Sequence, residues 1–257
     1  INDKPMPEFL KTADVRFLEL GKNGVLWGGG DDHLWRYDLK NDQLTQYGSD
    51  WMIKKYLPAQ LTDMKVTEQG FVILGTEHGV YVLRNGQIHF IGESVPFGSV
   101  INTVQVDDHD IWVASRYGLY RFDLYTGHVK SLPLLDGHIT PKCLIGNQDG
   151  MWLTSSAGLT RYSENGYLLR HYGEPFGLIS NEFTAGQCSY GAGDERTLLF
   201  GTHFNLIKVS TQELVVSKLP DVRVIISQVK VNQTLESLGA TIRSQPEINY
   251  GESRINF

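Results

Sequence analysis

The chain has 257 residues, 23 Lys+Arg against 29 Asp+Glu, and a formal net charge of −6. That balance argues against nucleic acid or an anionic membrane surface as a partner, because both need a basic face. Hydrophobic residues at 41% and aromatics at 11% support a substantial core and exclude a disordered chain, while 27 glycines point to many turns. No apolar run approaches the ~20 residues of a membrane span. No hydrophobic leader is visible, so any signal peptide or anchor is expected to have been removed or to lie outside this sequence.

Five segments align in chain order. They are Val25 to Asp38, Phe71 to Arg84, Asp110 to Asp123, Gly150 to Ser163 and Thr197 to Ser210. An apolar anchor recurs as Trp27, Ile73, Trp112, Trp152 and Leu199, at spacings of 46, 39, 40 and 47 residues. Six residues after each anchor come His33, Gly79, Gly118, Gly158 and Asn205, then Leu34, Val80, Leu119, Leu159 and Leu206. A period of roughly 40–50 residues is that of propeller blades.

Each unit reads as a four-stranded antiparallel meander. First strands are expected at Val15 to Leu20, Thr62 to Val66, Ile101 to Val106, Thr140 to Ile145 and Thr184 to Ser189. The anchor strand follows, as in Ile111 to Ser115, then a short turn, then an alternating strand such as Gly118 to Asp123. Asn85-Gly86 and Asn165-Gly166 are two-residue hairpin signals leading into the fourth strand. Asp50 to Tyr56 reads as one short helical turn between blades. Such a sheet cannot bury both faces alone, and radial stacking of neighbours covers them. The expected fold is all-β, a propeller of about five blades over residues 12–220. Residues 1–11 are a lead or the remnant of a preceding blade. From Asp221 the blade signature stops and alternating strand patterns begin a second β domain over 221–257.

The pattern W-x-x-[TS]-x-x-G-L, cleanest in Trp112 to Asp123 and Trp152 to Ser163, resembles the two-component regulator propeller repeat. The stretch Phe176 to Tyr190, followed by Leu198 to Ser210, looks like the terminal blade of such propellers, and Pro220 to Asn232 like the first strand of the Ig-like domain that follows. The resemblance implies a periplasmic sensor region of an inner-membrane receptor whose cytoplasmic output is a histidine kinase or a diguanylate cyclase. The family is usually seven-bladed, and His33 and Asn205 stand where its glycine is expected. Implied partners are a small-molecule or saccharide-like ligand, the rest of the receptor chain and, in a homodimer, a second copy.

No catalytic motif is present, and neither a cofactor nor a metal is expected. Gly28-Gly29-Gly30 lacks the lysine and helix of a phosphate cradle and reads as a flexible turn. Asp107-Asp108-His109-Asp110 reads as a solvated turn. Cys143 and Cys188 have no zinc-site spacing. Both fall on first strands, which line the channel without bonding to one another, so they are expected to be free buried thiols. Trp27, Trp112 and Trp152 are expected to be core residues between blades.

Meander topology puts the turns between second and third strands at the same end as the interblade links. The candidate binding rim is therefore Arg116, Tyr117, His78, Glu77, Asp32, His203 and Trp51, with Asp31, Ser155, Ser156, Phe204, Tyr56, Phe97 and Phe176 around it. Arg, Tyr, His and carboxylates suit a polar ligand. A sensor module is the expected function. A propeller enzyme of lyase or glycosidase type and a protein-binding scaffold are the alternatives.

Overall fold

The computed structural model describes residues 15–21, 23–30, 34–47, 60–91, 100–107, 110–135, 139–173, 176–216, 228–231, 234–237 and 255–256. The chain divides into two units, residues 1–215 and 216–257. Asp31, Asp32, His33, Trp51, Tyr56, Phe97, Asp108 and His109 lie outside the described residues.

The first unit is a β-propeller of five blades. Blade one holds β1 (Phe17–Leu20), β2 (Val25–Gly29), β3 (Leu34–Asp38) and β4 (Gln43–Gln46). Blade two holds β5 (Leu61–Val66), β6 (Val72–Thr76), β7 (Gly79–Arg84) and β8 (Gln87–Phe90). Blade three holds β9 (Ile101–Asp107), β10 (Asp110–Ser115), β11 (Gly118–Asp123) and β12 (Val129–Leu132). Blade four holds β13 (Pro141–Asn147), β14 (Gly150–Ser155), β15 (Gly158–Tyr162) and β16 (Leu168–Tyr172). Blade five has three described strands, β17 (Phe183–Gly191), β18 (Asp194–Thr202) and β19 (Leu206–Ser210), followed by helix α1 (Thr211–Val216). Each blade is an antiparallel meander and its own hydrogen-bonded sheet. In the second unit β20 (Gln228–Val231), β21 (Thr234–Ser237) and β22 (Ile255–Asn256) form a sheet in the order β21–β20–β22.

Burial grades outward across a blade. Every residue of β6 and β10 is buried, because second strands are covered on both faces. That is why they read as unbroken apolar runs rather than as alternation. The outer strand β4 is exposed throughout. The hairpin at Asn85-Gly86 has positive φ at both residues, +52° and +76°, the geometry of a type I′ turn.

The anchors share one register position. Trp27, Trp112 and Trp152 stand opposite Arg36, Arg121 and Arg161, while Ile73 stands opposite Val82 and Leu199 opposite Lys208. Each of the first four anchors packs on the next blade: Trp27 with Met64 and Leu74, Ile73 with Val104 and Val113, Trp112 with Leu144 and Leu153, Trp152 with Phe183 and Phe200. Leu199 is only half-buried and Leu206, on the same face, is exposed. Blade five has no successor in sequence among the described residues, so this face lacks the cover the other anchors have. Leu18 shows the same asymmetry at the other end: it is 56% exposed, whereas its register equivalents Met64, Val104 and Leu144 are buried.

Two readings are corrected. Gly28 and Gly29 are not a flexible turn but the end of β2. The Trp35 indole lies over Gly28, where a Cβ would come within 2.0 Å of the ring. Asp110 is not solvated: it is buried and accepts a hydrogen bond from Arg121 Nε at 2.8 Å.

Trp152 is fully buried, stacks on Tyr172 with ring centroids 6.0 Å apart and donates its indole N–H to Asn147 Oδ1 at 3.1 Å. Trp152→Ala removes all of this and is expected to cost about 3–5 kcal/mol, measured by chemical denaturation. An unchanged midpoint would contradict the packing described.

Candidate functional site

The turns between second and third strands are built by one recurring device. The last residue of the second strand carries a hydroxyl that closes the turn. Thr76 Oγ1 donates to Gly79 O at 2.8 Å and accepts from His78 N–H at 3.0 Å. Ser115 does the same with Gly118 and Tyr117, Ser155 with Gly158 and Ala157, and Thr202 with Asn205 and Phe204. The Thr/Ser of the sequence repeat is therefore a turn clasp, and Ser155, buried and engaged, is not a rim group. The following glycine also has a steric reason at Gly158. Its φ is +130°, and a Cβ there would lie 2.4 Å from Tyr172 O.

The clasp fixes the backbone and frees the tips. Glu77, His78, Arg116, Tyr117, Ser156, His203 and Phe204 are all exposed, Tyr117 at 73% and Phe204 at 88%. The links entering each blade reach the same end: Glu77 N donates to Gln60 O and Arg116 N to Val100 O. The Arg116 guanidinium lies 6.0 Å from the Tyr117 ring centre, and His203 packs beside Phe204 at 6.4 Å. No hydrogen bond or ion pair among the described residues joins one turn tip to another. Asp32 and Trp51 lie outside the described residues.

The first strands of all five blades enclose a cavity of about 480 Å³. It is lined by charged and polar groups that the motif reading passed over, among them Glu19, Asp63, Lys65, Thr103, Gln105 and Tyr190. A neighbouring cavity of about 410 Å³ shares Val66, Gln105, Val106 and Tyr190 with it and carries Glu68, Asp107, Glu164 and Glu195. The signal was in the sequence: Asp63 and Lys65 alternate with Met64 and Val66 on a strand expected to face the channel.

Side chains tie each first strand to the next. Lys65 pairs with Glu19 across blades one and two. Asp63 accepts from Thr103 Oγ1 at 2.7 Å and from Val104 N–H at 2.8 Å across blades two and three. Asn102 donates to Pro141 O across blades three and four. Tyr190 donates to Gly146 O across blades four and five. Burial pushes the Asp63 carboxyl above its ordinary range, against the pull of Lys65 and the hydrogen-bond donors. Burial alone would lower Lys65, but the Asp63 and Glu19 carboxylates outweigh it and hold the ammonium above the usual lysine value. Burial, then the Glu195 charge, raises the Tyr190 phenol.

Blades four and five are also joined covalently. Cys143 and Cys188 form a disulfide with Cα atoms 6.1 Å apart, so they are not free thiols. The two are not at equivalent positions. Cys143 stands opposite Thr154, the step that Thr103 occupies opposite Ala114. Cys188 stands opposite Phe200, one step on, the place of Val104 opposite Val113. Cys188 thus stands one step nearer its anchor than Cys143, and β17 carries register shifts on either side of it, between Phe183 and Cys188 and between Tyr190 and Gly191. Residues at the Val104 step pack toward the preceding blade, so Cys188 meets Cys143. Among the described residues no group of three or more His, Cys, Asp or Glu could hold a metal ion, and no helix is long and apolar enough to cross a membrane.

No protein-family profile and no curated protein sequence matches the chain. Solved structures do. The extracellular domain of BT3049 from B. thetaiotaomicron, described as a hybrid two-component system, superposes with a TM-score of 0.64 at 17% identity, covering 93% of this chain and 33% of that one. The extracellular domain of BT4673 from the same organism gives 0.61 at 19% identity, covering 90% and 29%. PorZ, a surface component of the type-IX secretion system of Porphyromonas gingivalis, gives 0.56 at 17% identity, covering 77% and 32%. The shared fold is the β-propeller. At these identities the likeness extends to the fold, and the chain spans about a third or less of the length of each of these solved chains.

The disulfide closes a loop with a sequence separation of 45 residues. Replacing both cysteines by serine is expected to lower stability by about 2–4 kcal/mol. Reductant should destabilise the parent and leave the double variant unchanged in denaturant titrations.

Proposed function

We propose that this chain is the ligand-sensing part of the extracytoplasmic region of a transmembrane receptor, with a kinase or diguanylate cyclase output on the cytoplasmic side. The observation that carries the reading is its likeness in fold to propellers described as extracellular domains of hybrid two-component systems. The Cys143–Cys188 disulfide supports it independently, because such bonds persist in oxidising compartments such as the periplasm. On this reading the second unit, with β20, β21 and β22 as its described strands, is the start of an Ig-like domain.

The ligand binds at the rim of turn tips, with Arg116, Tyr117, His78, Glu77 and His203 as its contacts, joined by Asp32 and Trp51. The clasps hold these turns through backbone groups and not through the tip side chains, so folding does not dictate the tip residues. Arg116 binds a carboxylate or phosphate in bidentate fashion, and Tyr117 offers an exposed ring for an apolar or sugar face. The chain acts by binding and not by turnover. The ligand signals by binding one receptor state more tightly than another, since equal affinity would shift nothing.

The test is a thermal-shift screen on the receptor's whole extracytoplasmic region, followed by titration of each hit. Arg116→Ala and Tyr117→Ala are expected to weaken a confirmed ligand at least about tenfold. Parental affinity in both variants would remove the rim from the reading, and turnover of a hit would overturn the non-catalytic role.

A further inference from the structure

One register step of the first strands forms a ring around the channel: Glu19, Lys65, Gln105, Ile145 and Ser189, each opposite its blade's anchor. Blades three to five fill this step with neutral residues, so the propeller does not require charge there. Blades one and two place a carboxylate and an ammonium at it, paired with each other, each still between a quarter and a third exposed and lining the cavity. An inward ion pair of this kind adds little net stability over neutral residues. The cavity, about 480 Å³, falls in the size range of small-molecule sites.

We propose that the channel is a second binding site, distinct from the rim, and that it takes a small zwitterion of amino-acid or dipeptide size. The ligand's carboxylate replaces Glu19 on Lys65, and its ammonium replaces Lys65 on Glu19. The selection rule is charge balance. A ligand bringing one charge of each sign opens the Lys65–Glu19 pair and leaves both side chains compensated. A lone anion or cation leaves one of them unpaired in a partly desolvated hub, which costs affinity. Asp63 stays out of the exchange, because Thr103, Val104 and Met64 already donate to it. Gln105, Ser189 and Tyr190 supply the remaining polar lining. The proposal does not rest on the rim reading.

Calorimetric titration of the intact protein tests it with L-alanine, L-glutamine and alanyl-alanine, against propionate, propylamine and propionamide as single-charge and neutral controls. At least one zwitterion is expected to bind, and the controls at least about tenfold more weakly. Whichever zwitterion binds best fixes the charge spacing and with it the free amino acid or the peptide as source. Glu19→Gln and Lys65→Met should each weaken binding at least about tenfold. The double variant removes both members of the pair at once, so it should stay folded, with a midpoint lowered only by the loss of Lys65 beside Asp63, and still fail to bind. Arg116→Ala should bind the zwitterion like the parent, which separates this site from the rim. The proposal is overturned if no zwitterion binds at millimolar concentration, if a single-charge control binds as tightly, or if the folded double variant retains affinity.

Discussion

Among the described residues the five sheets share no backbone ladder, so side chains must hold blade to blade, and the rest of the propeller depends on that. Between the blade faces the holding is apolar. Four anchors at one register step press on the next blade, and their burial is complete or nearly so. At the hub, where the first strands also carry buried Met64, Val104 and Leu144, contacts specific to each junction add to the packing. An ion pair, a carboxylate accepting a neighbour's hydroxyl and amide, an asparagine on a carbonyl, and a disulfide tie successive blades. Each is specific to its junction, although the blades repeat.

That division explains what could be read from the sequence. The anchors must be apolar in every blade, so they recur at 39 to 47 residues and reveal blade number and strand order. The turn must be closed in every blade, so Thr or Ser precedes Gly or Asn in four of five, and the rim's location follows. The hub clasps differ from junction to junction and leave no repeat to find. Asp63 and Lys65 look like the polar half of any alternating strand. Their roles depend on what the next blade presents.

The misread residues fail for related reasons. Cys143 and Cys188 seem equivalent when strands are aligned by eye, but they stand one register step apart, and that step faces Cys188 toward the blade that carries Cys143. Three consecutive glycines signal a turn to any local reading. Only the pairing of Gly28 with Trp35 shows that the missing side chain makes room for an indole. In both cases the deciding partner lies on another strand, in the same blade for Gly28 and in the neighbouring blade for Cys188, where period and spacing carry no information.

The clasps also differ in how easily they can be exchanged. Blades four and five are joined by a covalent bond that no ligand at equilibrium can replace. Blades two and three are joined by a carboxylate whose oxygens are occupied by hydroxyl and backbone donors, so releasing it would orphan a buried N–H. Blades one and two are joined by two charged side chains on flexible stems, and charges can change partners without loss if new charges arrive. The hub is therefore stiff on one side and exchangeable on the other. Under the channel-site proposal, a molecule exchanging partners with Glu19 and Lys65 acts on the polar contact of the first junction, while Trp27 packed with Met64 and Leu74 keeps the apolar contact between the same two blades. The effect of such an exchange therefore falls on the inner strands β1 and β5, where the polar contact is the part of the junction that can change partners.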